Sequence, residues 1–95
     1  MEKDIEHYFC EKLKAKHCLV WKFVSPNMAG VPDRIVIMPY GKIVFVELKA
    51  EGKKLRPLQE KRFEELRLHF VTPWVVSSKN DVVKFIDFYV ERGDL

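Results

Sequence analysis

The apolar positions along the chain follow two periods, which predict helices in some segments and strands in others. In Glu2–Lys16 the apolar residues stand four apart among charged ones, as on a helix with one buried face. Short runs rich in β-branched and aromatic residues indicate buried strands. The predicted strands are Leu19–Val24, Ile35–Met38, Ile43–Lys49 and Thr72–Ser77, and further helices are predicted from Pro57 to about His69 and over Asn80–Glu91. The pattern predicts one α/β domain over residues 1–95.

The run Ile43–Lys49 holds the first candidate chemistry, because its apolar residues lead into an acid and a base. Side chains alternate across a strand, so Glu47 and Lys49 share a face with Phe45. Taken alone, this pattern is weak, since a strand that ends in solvent commonly carries such charges. The neighbouring strand and loops decide whether it matters.

The link Pro39–Gly41 predicts how the second and third strands pair. Proline at its first position and glycine at its third suit a three-residue hairpin loop. Counting back from such a loop sets Asp33 opposite Glu47. Residues directly opposite across two strands point to the same face, so we expect Asp33, Glu47 and Lys49 together. A two-residue loop would instead set Arg34 opposite Glu47.

A glutamine and a basic loop follow the central strand. The inner stripe of the second predicted helix consists of Gln59, Phe63, Leu66 and Phe70. A glutamine on such a stripe, one turn from the helix start, needs a polar partner. The basic residues of the loop are Lys53, Lys54 and Arg56. Solvated loops often carry charges, so this loop alone decides little, but beside an acidic site it offers phosphate contacts.

Composition narrows the setting without naming a partner. The net charge of +3 is compatible with a polyanion partner but is not evidence for one. No apolar stretch approaches membrane-spanning length and the charged start is unlike a signal peptide, so we expect a cytoplasmic protein without a membrane partner. Cys10 and Cys18 do not form a disulfide framework, and with His7 and His17 they show no zinc spacing.

The predicted acid pair suits a hard divalent cation. Two carboxylates on adjacent strands favour Mg²⁺ or Mn²⁺. A lysine beside the metal can hold a scissile phosphate oxygen, and together they offset the charge that grows as water attacks phosphorus. Glu6 of the first helix, next to the predicted buried Ile5, could complete the site directly or through water. Glu2 lies on the same helix face, although acids also favour a first helical turn through the macrodipole.

Four stretches resemble the VRR-NUC group of the PD-(D/E)XK nuclease superfamily, and the similarity covers nearly the whole chain. They are Lys22–Pro26, Gly30–Arg34, Val46–Ala50 and Pro57–Gln59. The small stand-alone members of that group are encoded by phages and bacteria. The resemblance implies a restriction-endonuclease-like αβββαβ core, in which helices flank a mixed central sheet, with an additional C-terminal helix here.

The resemblance also assigns roles to individual residues. The implied metal ligands are Asp33, Glu47 and the carbonyl of Leu48. The catalytic lysine falls on Lys49, and the glutamine of the second helix falls on Gln59. The family's first-helix glutamate fits both Glu2 and Glu6, and we favour Glu6 because it lies further from the helix end.

The implied function is a Mg²⁺-dependent endonuclease that hydrolyses DNA phosphodiester bonds, with Mn²⁺ expected to substitute. Relatives include Holliday-junction resolvases, repair nucleases and restriction enzymes, so the fold does not name the substrate. Branched DNA is the first choice, because stand-alone members of this size resemble resolvases. The alternatives are a flap- or nick-directed or restriction-type nuclease, a non-catalytic DNA-binding module, and a structural ion-pair cluster. The intact acids and lysine argue against the module, and the cluster leaves the basic loop unexplained.

The last predicted helix carries more apolar surface than one sheet can cover. Only Lys84, Asp87 and Glu91 mark a polar stripe, whereas a surface helix of a monomer normally has a single apolar face. Resolving a four-way junction also requires two symmetric cuts. We therefore predict a homodimer that forms through this helix.

Overall fold

A four-stranded sheet forms the centre of the computed structural model, which describes residues 2–91 and the side chains of residues 2–90. The elements are α1 (Glu2–Ala15), β1 (Leu19–Lys22), β2 (Arg34–Ile37), β3 (Ile43–Leu48), α2 (Pro57–Leu68), β4 (Trp74–Val76), α3 (Lys79–Ile86) and a π-helical segment (Asp87–Glu91). β1, β2 and β3 are antiparallel neighbours, and β4 runs parallel to β3. The predicted α/β order and the mixed sheet are both confirmed.

The hairpin between β2 and β3 closes with three loop residues, as the sequence predicted. The N–H of Met38 donates to the carbonyl of Lys42 at 2.8 Å, and the N–H of Gly41 donates to the carbonyl of Met38 at 2.8 Å. Gly41 has a φ of 91°, a value that suits glycine at the last loop position. Within the strands the register pairs Arg34 with Val46, which sets the next residue, Asp33, opposite Glu47.

Helices cover the two faces of the sheet unequally. α1 and α3 lie over the face formed by alternate residues such as Val36, Val46 and Leu48, where Phe9 meets Phe85 with ring centroids 5.6 Å apart. Each large side chain buried in this core contributes about 1.5–3 kcal/mol. α2 lies on the opposite face, which is also the face of the predicted acids. The core therefore packs against one face of β2 and β3, and the predicted acids lie on the opposite face.

α2 ends earlier than its predicted inner stripe requires. Phe63 is fully buried as expected, but Phe70 lies two residues beyond the last helical residue, Leu68, and is 98% exposed. Phe70 has a φ of 63°, which turns the chain out of the helix. The prediction that Phe70 lies on the inner stripe was therefore wrong, because the helix ends at Leu68, before the next inward position.

The last predicted helix is divided into two parts. Ser78 caps α3, because its hydroxyl accepts a hydrogen bond from the N–H of Asp81 at 3.0 Å. The α-helix gives way to the π-helical segment at Asp87, where a single α-helix through residue 91 was expected. Tyr89 of this segment is buried, and its hydroxyl accepts from the Nε1 of Trp74 at 2.9 Å. The wider turn of the π-helical segment thus allows Tyr89 to pack against Trp74 of β4.

None of the helices within residues 2–91 is long and apolar enough to cross a bilayer.

β1 and β4 are shorter than the sequence predicted. Val24, at the end of the predicted first strand, is 79% exposed and lies outside β1. These differences are confined to element ends, where assignments from sequence are least secure.

Candidate active site

Asp33 and Glu47 are held together at the open end of the β2–β3 hairpin by two hydrogen bonds. The N–H of Asp33 donates to Oε1 of Glu47 at 3.1 Å, and the N–H of Leu48 donates to Oδ1 of Asp33 at 3.1 Å. Each carboxylate is thus bound to the backbone of the other strand. Because strand backbones are rigid, the two acids form a fixed pair, as the predicted register requires.

Gln59 supplies the partner that fixes the second oxygen of Glu47. Its Nε2 donates to Oε2 of Glu47 at 3.0 Å, and its Oε1 accepts from the N–H of Arg56 at 2.8 Å. The latter bond occupies one of the free N–H groups at the start of α2, where Pro57 is the first helical residue. Gln59 is only 5% exposed. The predicted need of this buried glutamine for a polar partner is confirmed.

Lys49 lies beside the same acid. Its Nζ is 3.7 Å from Oε2 of Glu47, and its side chain is 13% exposed. The N–H of Lys49 donates to the carbonyl of Val76 at 2.9 Å, so the pairing with β4 extends to this residue. Lys49 therefore presents its ammonium from a well-anchored backbone position, on the face that the alternation of side chains predicted.

The electrostatics of the pair favour a bound cation. Burial raises the pKa of the Asp33 carboxyl, the charge of Glu2 raises it further, and the hydrogen bond from Leu48 opposes the rise. Burial also raises the pKa of Glu47, and the neighbouring charge of Asp33 adds to the effect, while Lys49 opposes it. Two carboxylates that are costly to ionise together become less costly when a divalent cation lies between them.

An open cavity of about 440 Å³ connects Glu47 to the basic loop. Its lining residues are Glu2, Glu47, Lys49, Ala50, Lys53, Lys54 and Arg56. The loop predicted to contact phosphates therefore lies at the same cavity as Glu47 and Lys49. Positive side chains along one wall offset the negative field of the acids for an approaching polyanion.

The two candidate acids of α1 occupy different environments. Glu2 lines the cavity, and its charge raises the pKa of Asp33. Glu6 does not line the cavity and is instead in contact with Arg34, whose Nη2 pairs with its Oε2. Glu2, and not Glu6, thus lies at the cavity that Glu47 and Lys49 line, and the choice of the helix acid that acts in the reaction stays a prediction.

Arg34 is a neighbour of the site that sequence reasoning missed. It is 7% exposed, its Nη1 donates to the carbonyl of Asp33 at 2.9 Å, and the same Nη1 lies 3.4 Å from Oδ2 of Asp33. A signal was available, because strand alternation places Arg34 on the inner face with Val36. A buried arginine needs acidic partners, and Glu6, which the sequence analysis assigned to the metal site, is the acid that pairs with it.

The donor atoms fit a magnesium-type cation. Among residues 2–91, no group of three or more His, Cys, Asp or Glu side chains is placed to hold a metal. The candidate site therefore offers two carboxylates, those of Asp33 and Glu47. The N–H of Leu48 donates to Asp33. Because the N–H and C=O of a strand residue point to the same side of the strand, the carbonyl of Leu48 also points toward Asp33. Two carboxylates and a carbonyl are hard oxygen donors, which Mg²⁺ and Mn²⁺ prefer, with water completing the shell.

Comparison with known proteins agrees with this fold. The family model described as the VRR-NUC domain matches residues 2–80. A protein named "Putative nuclease p44", from Acyrthosiphon pisum secondary endosymbiont phage 1, is 47% identical over 58 residues, which cover 61% of this chain and 62% of that protein. The match thus spans less than two thirds of the phage protein.

Two solved structures share the fold. One, described as a VRR_NUC domain, superposes with a TM-score of 0.86 and 36% identity, covering 93% of this chain and 96% of that one. The other, described as a VRR_NUC domain protein, has a TM-score of 0.74 and 18% identity, covers 99% of this chain and 91% of that one, and shows the shared fold alone. The architecture is that of a restriction-endonuclease-like nuclease core. The chain belongs to the VRR-NUC family.

Proposed function

We propose that this VRR-NUC domain is a divalent-metal-dependent endonuclease that hydrolyses DNA phosphodiester bonds, with Mg²⁺ as the cofactor and Mn²⁺ able to substitute. The observation that carries the proposal is the fixed pair of Asp33 and Glu47, with Lys49 beside it and a basic wall on the same cavity. An acid pair alone would repel DNA. The basic wall makes the approach of a phosphate favourable.

The chain's own residues divide the work of the reaction. Asp33, Glu47 and the carbonyl of Leu48 would hold the metal, and Gln59 keeps Glu47 in its orientation. A bound Mg²⁺ supplies positive charge that stabilises the transition state at phosphorus. Lys49 holds a non-bridging phosphate oxygen and favours loss of a proton from the attacking water. Each of these residues is anchored by the backbone or by a buried partner, so little reorganisation is needed.

The acid contributed by α1 is Glu2 in this proposal. Its position at the cavity supports an outer role, in which it binds a water of the metal shell or the attacking water. Glu2→Gln should then reduce cleavage more than an exposed control such as Glu11→Gln on the same helix. Equal activity of the two variants would remove Glu2 from the proposal.

The basic loop is the proposed phosphate-binding surface. Lys53, Lys54 and Arg56 lie along the cavity and would contact the DNA backbone on one side of the scissile bond. Such contacts position the duplex but carry no sequence information. Replacing two of them by alanine should weaken binding to all DNA substrates alike and reduce its dependence on salt.

Branched DNA and a homodimer form the finer part of the proposal. Val83 and Phe88 remain 53% and 51% exposed on the last helical region. Phe88 also lines a cavity of about 560 Å³ together with Ile43 and Phe70, both of which are exposed. A second copy packed on this surface would cover these side chains and bring a second site for the paired cut. The cytoplasmic setting stays a prediction.

The experiment that tests the proposal compares a four-way junction, a flap and plain duplex, each with Mg²⁺ and with chelator. Symmetric cuts in the junction that require Mg²⁺ are the expected result. Cutting of the flap instead would move the function to a repair type, and cutting of plain duplex would move it to a restriction type. Binding of every substrate without cleavage in Mg²⁺ would identify a DNA-binding module and contradict the catalytic proposal.

A further inference from the structure

Arg34 is shared between two acids that stand on opposite sides of it. One amino group, Nη2, pairs with Glu6 of α1, and the other, Nη1, donates to the Asp33 carbonyl. The Nη1 atom is also 3.4 Å from Oδ2 of Asp33, close enough for an ion pair. The guanidinium thus lies at the edge of the candidate metal site, with Nη2 directed to Glu6 and Nη1 bound to the Asp33 carbonyl.

A guanidinium in this position is a competitor for the metal. Arginine keeps its charge at all relevant pH values and binds carboxylates through two parallel bonds. Burial lowers the pKa of the Arg34 guanidinium, and the charges of Glu2 and Glu47 oppose this shift. If both amino groups turned to Asp33, a bidentate pair would occupy the carboxylate that the cation needs.

We propose that Glu6 is a positioning residue that holds the Arg34 guanidinium and so keeps the carboxylate of Asp33 available to the divalent cation. The inference rests on the proposed metal site at Asp33 and Glu47. Glu6 then acts through Arg34 and touches neither metal nor substrate. This role explains why an acid of the second turn of α1 does not line the cavity and is still only 34% exposed.

The same contacts distinguish this role from two simpler ones. A glutamate that bound the metal or its water would be needed whether or not Arg34 was present. A purely structural ion pair would matter for stability and not for the metal once the fold was intact. In contrast, a counterion for Arg34 becomes unnecessary when the arginine is removed. The three roles therefore predict different results for a pair of substitutions.

The test measures Mn²⁺ binding to the protein without DNA, by calorimetric titration, for Glu6→Gln, Arg34→Met and the double variant. Loss of an outer-shell partner typically costs about 10–100-fold in metal affinity, and this is the expected weakening for Glu6→Gln. Arg34→Met and the double variant should bind Mn²⁺ at least as tightly as the wild type. Thermal melts in chelator show that each protein is folded, and Arg34→Gln replaces Arg34→Met if the latter does not fold.

Glu11→Gln is the matched control, because Glu11 lies on the same helix in an exposed pair with His7 and should leave Mn²⁺ affinity unchanged. A double variant that binds as weakly as Glu6→Gln would overturn the inference and favour a direct role of Glu6. Unchanged affinity of Glu6→Gln would overturn it in favour of a structural pair. Failure of the wild type itself to bind Mn²⁺ would instead contradict the proposed metal site.

Discussion

Replacing Gln59 by methionine removes the hydrogen bond that orients Glu47 while keeping a side chain of similar length. Gln59 donates to Oε2 of Glu47 at 3.0 Å from a position that is 5% exposed, so water replaces the lost partner poorly. A hydrogen bond to a charged group contributes about 1.5–3 kcal/mol. The N–H of Arg56, which also loses its partner, belongs to an exposed residue and can bind water.

The expected loss is therefore about 2 kcal/mol in the free energy of unfolding. In a domain of this size 1 kcal/mol shifts Tm by roughly 4–8 °C, so Tm should fall by about 8–16 °C. Mn²⁺ affinity should fall by about 10–100-fold, since Glu47 loses its outer partner. Thermal melts and calorimetric titrations measure the two effects. Glu60→Met, an exposed position one residue along α2, is the control.

Gln59→Met would refute this reasoning if its Tm and Mn²⁺ affinity matched those of Glu60→Met. A lower Tm with unchanged Mn²⁺ affinity would show that Gln59 supports the fold without orienting Glu47 for the metal. Only the two losses together agree with the hydrogen-bond chain from α2 to the acid pair.

Three further predictions concern charge, packing and assembly. In chelator, Asp33→Asn should have a higher Tm than the wild type near neutral pH, because burial makes ionised Asp33 costly in the folded state. This difference in Tm should shrink as the pH falls through the raised pKa of Asp33. With Mg²⁺ present, the wild type should have the higher Tm. Gly30→Ala should destabilise more than Gly52→Ala: both have positive φ, but a Cβ at Gly30 would lie 2.9 Å from the Leu58 carbonyl oxygen and one at Gly52 meets nothing within 4 Å. Phe88→Glu should shift a sedimenting homodimer toward monomer.

Each of these predictions has a clear contrary result. An Asp33→Asn variant that melts below the wild type at neutral pH in chelator would mean that the acid pair is stabilising without a cation. Equal losses of stability in Gly30→Ala and Gly52→Ala would show that the positive φ alone, and not the close approach to Leu58, causes the destabilisation. A wild-type monomer at tens of micromolar, on the order of the Kd of a weak interface, would remove the dimer and weaken the resolvase proposal.

The sequence determined the site most clearly where local rules control geometry. Proline and glycine at the ends of the Pro39–Gly41 link select a three-residue turn, and the turn fixes the register of both strands. With the register known, strand alternation placed Asp33 and Glu47 on one face. The same logic predicted that Gln59, on an inner helical face near the acids, must have a polar partner.

The remaining features depend on packing that no local pattern encodes. The choice between Glu2 and Glu6 turns on how α1 is rotated and shifted against the sheet, and both residues share a helix face. The long side chain of Arg34 reaches Glu6 and the backbone of Asp33 from the inner face. The outward turn at Phe70 depends on where α2 stops, which the apolar period alone does not mark.

The most direct test of the central claim measures cleavage and binding of one labelled four-way junction by the wild type, Asp33→Asn and Glu60→Gln. A catalytic metal contributes several kcal/mol, so Asp33→Asn should cut at least about a thousandfold more slowly in Mg²⁺. It should bind the junction as tightly as the wild type or more tightly, because it removes a negative charge next to Glu47, which lines the cavity of the basic loop. Glu60→Gln should cut at the wild-type rate. An Asp33→Asn protein that cuts in Mg²⁺ as fast as the wild type would contradict the assignment of this site.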